Sequence, residues 1–411
     1  MTLSELKEYR RILILGYGKE GKSTEVFLHK HLPDAQISIA DQVDGPGYLA
    51  KQKDVDLVVR SPGVRVELMS QKWTTATNIF FHMFPGKIIG VTGTKGKSTT
   101  ASLTYAMLSS VYTDVRLVGN IGRPMLDALE GATNETIAVV ELSSYQLTDL
   151  YSSPHISLVV NWFPEHKDFH GSFDAYKRAK QNAVFFQSEK DFFVYDPKER
   201  EVSQWTSLSK AKSLTYTEDF PFEETKIKLL GAHNRRNIQG ALTVARLLNV
   251  PDEKSATALY AFNPLPHRLQ KVGVVRGITF YDDAISTTPE STIAALESLG
   301  RVDTILLGGQ DRGYDFSKLV DKLADKQVQA IVLFPETGGR IKFDLLKRDD
   351  YSPKILQTER MEEAVQFGLE QSVTGGICLL STASPSYSLW KNFEEKGELF
   401  QKAVKNLETT T

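Results

Sequence analysis

The run Gly93-Thr94-Lys95-Gly96-Lys97-Ser98-Thr99 carries the residue types that hold a polyphosphate. Glycines let loop amides converge on an anion. A lysine after them reaches the terminal phosphates, and a serine hydroxyl can ligate Mg²⁺. The pattern is not the strict G-x-x-x-x-G-K-[ST], because Val91 holds the place of the first glycine. The flanking residues strengthen it. Ile88, Ile89 and Val91 form a short apolar, β-branched run that reads as a buried parallel strand. Leu103, Ala106, Met107 and Val111 recur afterwards at helical spacing. A strand, a glycine-bearing loop and a helix in that order predict a nucleotide site rather than a chance Gly-Lys-Ser.

A second glycine pattern, Gly16-Tyr17-Gly18-Lys19-Glu20-Gly21, follows the strand-like run at 11–15 and precedes a helical stretch to about His31. A strand over Ile37–Ala40 ends at Asp41, a Rossmann-like distance from the glycines. Taken alone this suggests a dinucleotide. The same turn serves any diphosphate, and a plain tight βα turn would also need its glycines. A third strand, Val55–Val59, runs into Ser61-Pro62-Gly63, and such strand ends face the ligand crevice of open α/β sheets. Pro85-Gly86 then reads as a linker.

Beyond the phosphate loop, three more apolar runs end in polar groups. Val115–Val118 leads to Gly119-Asn120-Ile121-Gly122, Ile137–Val140 to Glu141, and Ile156–Val160 to Asn161 and the stretch through His170. A carboxylate at such a strand end can hold Mg²⁺ or a water. His166 alone could be a surface-loop histidine, but its position beside the other strand ends favours one shared site. The helical stretch from Phe173 to about Phe186 contains Lys180, which the residues alone leave as a solvated lysine. Before the helical run Ile238–Leu248, Asn234 is a possible cap, and Asn237 could meet a base edge or serve the helix end.

A proline-marked junction at Leu265-Pro266-His267-Arg268 opens a further strand–helix alternation. Its strands are Ile278–Tyr281, Thr304–Leu307, Ala330–Phe334 and Ile377–Leu380, with helices such as Thr292–Leu299 and Met361–Glu370. This predicts another doubly wound sheet. Polar loops follow three of the strands: Asp282 to Thr288, Gly308-Gly309-Gln310-Asp311-Arg312, and Ser381 to Ser388. Three such loops in one segment argue for a second substrate.

The 411 residues leave room for about two to four domains. The net charge of −2 suggests neither a nucleic acid nor an acidic membrane as partner. The lone cysteine, Cys378, lies in an apolar run and reads as core; no intrachain disulfide is possible, which fits a reducing cytoplasm. The first residues, MTLSELKEYRR, lack the apolar core of a signal peptide, and no apolar run approaches membrane-spanning length.

The set GVTGTKGKST, GNIG, ELSSYQL, NWFPEHKDFHG with Tyr176-Lys177-Arg178-Ala179-Lys180, GAHNRRN, PHR, LLGGQDRG and KNFEEKG resembles the Mur ligases, over nearly the whole chain and in the right order. The nearest resemblance is to the branch that adds glutamate to UDP-N-acetylmuramoyl-L-alanine. It implies an α/β protein of three domains: a Rossmann-like domain for the UDP-sugar over 1–86, a central ATPase with a mainly parallel sheet over 87–265, and a Rossmann-like domain for the amino acid over 266–411. It recasts Gly16, Gly18, Lys19 and Gly21, with Asp41, Ser61, Gly63 and Gly119, as contacts to the UDP-sugar. ATP falls to Gly93 through Thr99, with Asn120 on phosphate, Asn237 on adenine, Arg268 on the phosphates and Asp283 on the ribose. Ser98, Glu141, His166 and Lys180 complete two Mg²⁺ sites, Lys180 as a carbamate. Lys97, His166, Lys180 and Arg268 are the catalytic set.

For the acceptor the resemblance implies Thr287, Arg312, Ser386, Tyr387 and Phe393. It departs at one place: the family's D-S-K-A-T-N loop reads Asp283-Ala284-Ile285-Ser286-Thr287-Thr288, so Ile285 stands where the family lysine meets the amino-acid carboxylate. A related branch uses L-glutamate, so both enantiomers remain open, with D-glutamate expected. The implied enzyme is a cytoplasmic, monomeric, ATP-dependent ligase working through an acyl phosphate. A nicotinamide dehydrogenase would explain Gly16–Gly21 but neither Gly93–Ser98 nor Lys180. A folylpolyglutamate synthetase would lack the first domain, and a noncatalytic nucleotide module would not need the third segment's polar strand ends.

Overall fold

The computed structural model describes residues 1–409. Short runs of Ile, Val and Leu, buried on both faces, build three sheets. The first contains β1 (Arg11–Leu15), β2 (Gln36–Ala40), β3 (Leu57–Arg60) and β4 (Trp73–Thr74), all parallel, in the order β2-β1-β3-β4. The second contains β5 (Lys87–Thr92), β6 (Val115–Gly119), β7 (Ile137–Glu141), β8 (Ile156–Val159), β9 (Phe192–Tyr195) and β10 (Lys212–Thr215). Its order is β10-β9-β8-β5-β7-β6, again all parallel. The third contains β11 (Gln270–Val275), β12 (Ile278–Asp282), β13 (Thr304–Gly308), β14 (Ala330–Phe334), β15 (Lys354–Gln357) and β16 (Ile377–Leu380), in the order β11-β12-β16-β13-β14-β15. Only β11 runs antiparallel to its neighbour β12. The α/β class with doubly wound parallel sheets is the one expected from the sequence.

Strand order decides where sites form. β5 lies between β8 and β7, and β1 between β2 and β3, so chain leaving β5 and β1 departs in opposite directions from its neighbours. Such switch points open a crevice at the strands' carboxyl ends. In the third sheet β12, β16 and β13 are adjacent, so the three polar loops marked in the sequence leave neighbouring strands.

The chain forms two compact units: residues 1–227 with 236–262, and residues 228–235 with 263–411. The first unit holds two sheets and the second holds one.

Several local expectations need correction. The strands β4, β10, β11 and β15 lie at sheet edges, where one-sided burial leaves no continuous apolar run to find; the four-residue β9 was also not expected. Pro85-Gly86 is not a free linker, because a Cβ on Gly86 would lie 2.0 Å from the Thr136 carbonyl oxygen. The helix Lys97–Ser109 is buried nearly all round rather than on one face, since the helix Asp252–Ala261 packs across it. The helix holding Asn234 starts at Ala232, so Asn234 is inside its first turn rather than capping it, and its amide donates to the Leu230 carbonyl at 2.7 Å.

Within the first unit a buried ion pair joins the two sheets. Arg60, at the end of β3, is 1% exposed and pairs with Asp149 at 2.7 Å. The Trp73 indole donates to the same carboxylate at 2.9 Å. The guanidinium also donates to the carbonyls of Ser61, Pro62 and Val64, which shapes the loop after β3. Removing the carboxylate strands a buried cation. Asp149→Ala is therefore expected to lower unfolding free energy by roughly 3–5 kcal/mol, read by denaturant melts; a loss well under 1 kcal/mol, the value of an exposed pair, would contradict this.

Candidate active site

The phosphate loop leaves β5 as expected and is held on every side. Gly93 and Gly96 adopt φ of 152° and 81°, which side chains resist. The Asn161 side-chain oxygen accepts from the amides of Thr94 at 3.0 Å and Lys95 at 2.9 Å, and its Nδ2 returns a bond to the Lys95 carbonyl at 3.1 Å. The Thr94 hydroxyl accepts from the Phe163 amide at 2.9 Å and lies 2.9 Å from the Tyr176 hydroxyl. Lys97 starts the helix and bends its ammonium back to the Thr94 carbonyl at 2.9 Å. Lys95 pairs with Glu165 at 2.6 Å. Ser98 and Thr99 are buried in the first turn. Asn237 lies against the loop so closely that a Cβ on Gly96 would be 2.7 Å from its Oδ1.

Lys180 is not a surface residue. It is 1% exposed, and its Nζ donates to the Gly93 carbonyl at 2.7 Å and to the Thr92 hydroxyl at 3.3 Å. Tyr176, one turn earlier on the same helix, places its ring 5.2 Å from that nitrogen. Burial, and then the nearby Lys97 charge, push the Lys180 ammonium well below the usual lysine range, against the pull of Glu165 and Glu141.

Glu141 ends β7 and is 1% exposed. Asn120 donates to its Oε1 at 3.0 Å, while the buried Oε2 has no hydrogen-bond partner. A Cβ on Gly119 would strike the Glu141 carbonyl oxygen at 2.4 Å, so glycine lets the Asn120 loop close on this strand end. An orphaned carboxylate oxygen fits a hard cation such as Mg²⁺. The Ser98 hydroxyl is a compatible donor, whereas Lys180 fits only if its nitrogen is converted to an oxygen-bearing group. Among the described residues no cluster of three His, Cys, Asp or Glu side chains is arranged for a metal. Mg²⁺ ordinarily takes one or two carboxylates and fills its sphere with water and phosphate.

His166 sits at φ 53°, ahead of the short helix Lys167–His170. Its Nδ1 is 3.3 Å from the Tyr145 hydroxyl and its Nε2 3.6 Å from Glu165. Burial lowers its pKa, with Glu165 opposing and Lys97, Lys180 and Lys95 adding to the fall. His170 is lowered to about 4 by burial and by His166. Tyr145, Asn161, Glu165 and Tyr176 are supporting residues not singled out from the sequence. Each lies in a motif quoted above, at or near a strand end or on the Lys180 face of its helix.

In the first sheet the Gly16 turn is equally packed. Ser61 donates to the Gly16 carbonyl at 2.6 Å, and Asp41 accepts from the Tyr17 amide at 2.5 Å. A Cβ on Gly21 would meet the Gly16 carbonyl oxygen at 2.4 Å. Gly18 precedes the helix Lys19–His31, and neither Gly18 nor Gly63 has any atom within 4 Å of where a Cβ would stand, leaving open space above the turn.

In the second unit Asp283 is 4% exposed. Ser381 donates to it at 2.8 Å and the Leu269 amide at 3.1 Å, and burial raises its pKa to about 6. Arg268 is half-buried, Arg312 is exposed and Thr287 is half-buried. Ser386 is buried with a partnerless hydroxyl, Tyr387 is exposed, and Phe393 starts the last helix with its ring 6.1 Å from that of His267. Of the expected acceptor residues, Thr287, Arg312, Ser386 and Tyr387 thus sit on the loops after the adjacent strands β12, β13 and β16, and Phe393 at the start of the last helix.

Residues 91–225 match the Mur ligase middle domain and 267–384 the Mur ligase glutamate ligase domain. The chain is 33% identical to the UDP-N-acetylmuramoyl-L-alanine–L-glutamate ligase of Salinispora tropica, with 99% of each chain covered. It is 30% identical to the UDP-N-acetylmuramoylalanine–D-glutamate ligase of Halalkalibacterium halodurans, covering 99% of this chain and 100% of that one. In fold it is similar to the MurF ligase of Thermotoga maritima solved with ADP, with a TM-score of 0.61, 16% identity, and 98% and 97% of the two chains covered. It is likewise similar to the UDP-N-acetylmuramate–alanine ligase of the same organism, with a TM-score of 0.62, 16% identity, and 98% and 100% covered.

Lys97 opens the helix after the loop with its ammonium on the Thr94 carbonyl, where it can meet a phosphoryl group. Lys97→Ala is expected to lower kcat for ATP turnover about a hundredfold or more, the scale of losing one such stabiliser, with the thermal midpoint little changed. Near-normal turnover would contradict the assignment of this loop.

Proposed function

The chain belongs to the Mur ligase family, and on that footing we propose that it joins D-glutamate to UDP-N-acetylmuramoyl-L-alanine in peptidoglycan precursor synthesis. It is an ATP-dependent ligase. The observation that carries the reading is the phosphate loop, backed by the buried Lys180 on the Gly93 carbonyl and flanked by the orphaned Glu141 oxygen. Full-length likeness to ligases that act on this UDP-sugar supports it.

We assign the UDP-sugar to residues 1–86, ATP to 87–265 and the amino acid to 266–411. The Gly16 turn, Lys19 and Asp41 hold the uridine diphosphate. The amides of Gly93–Thr99 and the Lys97 ammonium take the triphosphate, with Asn237 on the adenine, Asp283 on the ribose and Arg268 on phosphate. A carboxylate oxygen of the alanyl group attacks the γ-phosphorus, ADP leaves, and an acyl phosphate forms. The glutamate amine, having lost its proton, attacks the acyl carbon, and phosphate departs from the tetrahedral intermediate. Lys97 follows the negative charge that moves onto the transferring oxygens. Mg²⁺ would be held by Ser98, Glu141 and His166 with Lys180 as its carbamate, and when bound it offsets phosphate charge. Burial disfavours the ammonium form of Lys180, which suits addition of the nitrogen to CO₂, forming a C–N bond and releasing one proton.

For the acceptor, Arg312 offers a bidentate grip on one carboxylate, and Thr287 and Ser386 offer hydroxyls to the other. A second reading, L-glutamate as acceptor, is favoured by Ile285 in the family lysine's place and by the Salinispora tropica relative. No helix of the described residues is long and apolar enough to cross a membrane, and we place the enzyme in the cytoplasm as a monomer, where its nucleotide substrates are made.

An amino-acid panel with both enantiomers, scored by the mass of the ATP-dependent product, tests the reading. The expected product carries one added glutamate, faster from the D form. Faster use of the L form would install the second reading, and preference for a neutral or basic amino acid would defeat both. Lys180→Ala is expected to be nearly inactive and partly restored by formate or acetate, since an oxygen ligand is what it lacks; unchanged activity would retire the carbamate. Arg312→Ala is expected to raise KM for glutamate while leaving KM for ATP alone, and equal increases in both would place Arg312 elsewhere.

A further inference from the structure

Lys396, in the last helix, lies outside every role assigned above. Its side chain is fully buried, and its Nζ donates to the Thr382 hydroxyl at 2.5 Å. The same nitrogen lies 5.7 Å from the centre of the Trp390 ring, which packs edge-on against Phe334. Burying a lysine head costs several kcal/mol unless its charge is answered. Asp282 and Asp283, 0% and 4% exposed, answer it in part: burial outweighs the pull of these two carboxylates and lowers the Lys396 pKa to about 7. The helix is delivered there by its neighbour. A Cβ on Gly397 would lie 2.0 Å from His267 Nδ1 and 2.8 Å from Asp282 Oδ2, so only glycine lets the helix lie against that pair.

The groups under Lys396 fix two of the three crevice loops. Asp282 accepts from His267 at 2.7 Å, Gln401 at 2.8 Å and the Ala284 amide at 2.9 Å. Asp283 joins Ser381. Thr382, having accepted from Lys396, has one proton to give, and it faces the Ser384 carbonyl at 3.1 Å and the Ser286 carbonyl at 3.4 Å. Its own carbonyl accepts from the Gly308 amide at 2.9 Å, which reaches the third loop. With Ile285 apolar, the Asp282–Thr288 loop carries no cation of its own.

We propose that Lys396 is a positioning residue for the acceptor step: anchored on Thr382 beneath Asp282 and Asp283, it locks the Asp282–Thr288 and Ser381–Ser388 loops together and so sets where the incoming amino acid is held. The inference rests on the reading that these loops take the acceptor. The test compares Lys396→Met, Lys396→Arg and Thr382→Val with wild type for kcat, for KM of glutamate and of UDP-N-acetylmuramoyl-L-alanine, and for thermal midpoint. Lys396→Met should raise KM for glutamate roughly ten- to a hundredfold, the effect of a remote displacement on a held substrate, with KM for the UDP-sugar unchanged. Lys396→Arg should recover most of the loss, and Thr382→Val should shift KM in the same direction by less. A lower thermal midpoint with KM for glutamate within about twofold of wild type overturns the proposal, because Lys396 would then be only structural. If Lys396→Met does not fold, Thr382→Val decides, and a wild-type KM there overturns it. Wild type that uses another amino acid defeats the glutamate reading alone, and the same KM comparison with that amino acid still tests Lys396.

Discussion

A lysine amine without water, hydrogen-bonded to the Gly93 carbonyl, is the contact on which the central site depends. It requires the helix Phe173–Phe185 to lie hard against the phosphate loop. The same helix face carries Tyr176, four residues earlier, whose hydroxyl meets Thr94. Thr94 and Asn161 then fix the loop amides, and the loop fixes Lys97. With Lys97 cationic nearby, an ammonium at position 180 is repelled as well as desolvated, so its pKa is pushed well below the usual lysine range.

Glycine is the second constraint. Gly21, Gly86, Gly96, Gly119 and Gly397 all stand where a Cβ would meet a carbonyl, carboxylate, amide or imidazole atom below 3 Å. Four of the five lie in or beside a candidate binding loop. Gly86 and Gly119 let neighbouring strand ends close on each other, and Gly21, Gly96 and Gly397 let a helix lie against a loop or strand end. The sites follow from this packing more than from any single reactive side chain.

The parallel strands were legible because interior strands are continuous apolar runs, and the loops after them because polar groups there stand out. The loops marked in the sequence do leave the carboxyl ends of strands: Gly16–Gly21, Gly93–Ser98, Glu141 and the three in the second unit. Edge strands such as β10 and β15 were not legible, since an edge needs no such run. Lys180 and Lys396 were illegible from their own surroundings for a different reason. Each sits on an otherwise charged helix, and its burial is decided by partners far away in sequence: Thr92 and Gly93 for one, Asp282 and Thr382 for the other. The family resemblance supplied Lys180, whereas for Lys396 it supplied only the KNFEEKG motif that contains it, with no role. Asn234 was misplaced because the helix extends several residues ahead of its first apolar position.

The central claim is that ATP activates the alanyl carboxylate rather than the incoming amino acid or water. The most direct measurement uses UDP-N-acetylmuramoyl-L-alanine carrying ¹⁸O in its carboxylate, with unlabelled ATP, glutamate and water. Transfer through an acyl phosphate predicts that each phosphate released carries one oxygen from the labelled carboxylate. Phosphate released with no label, at the same rate as product forms, would contradict the account.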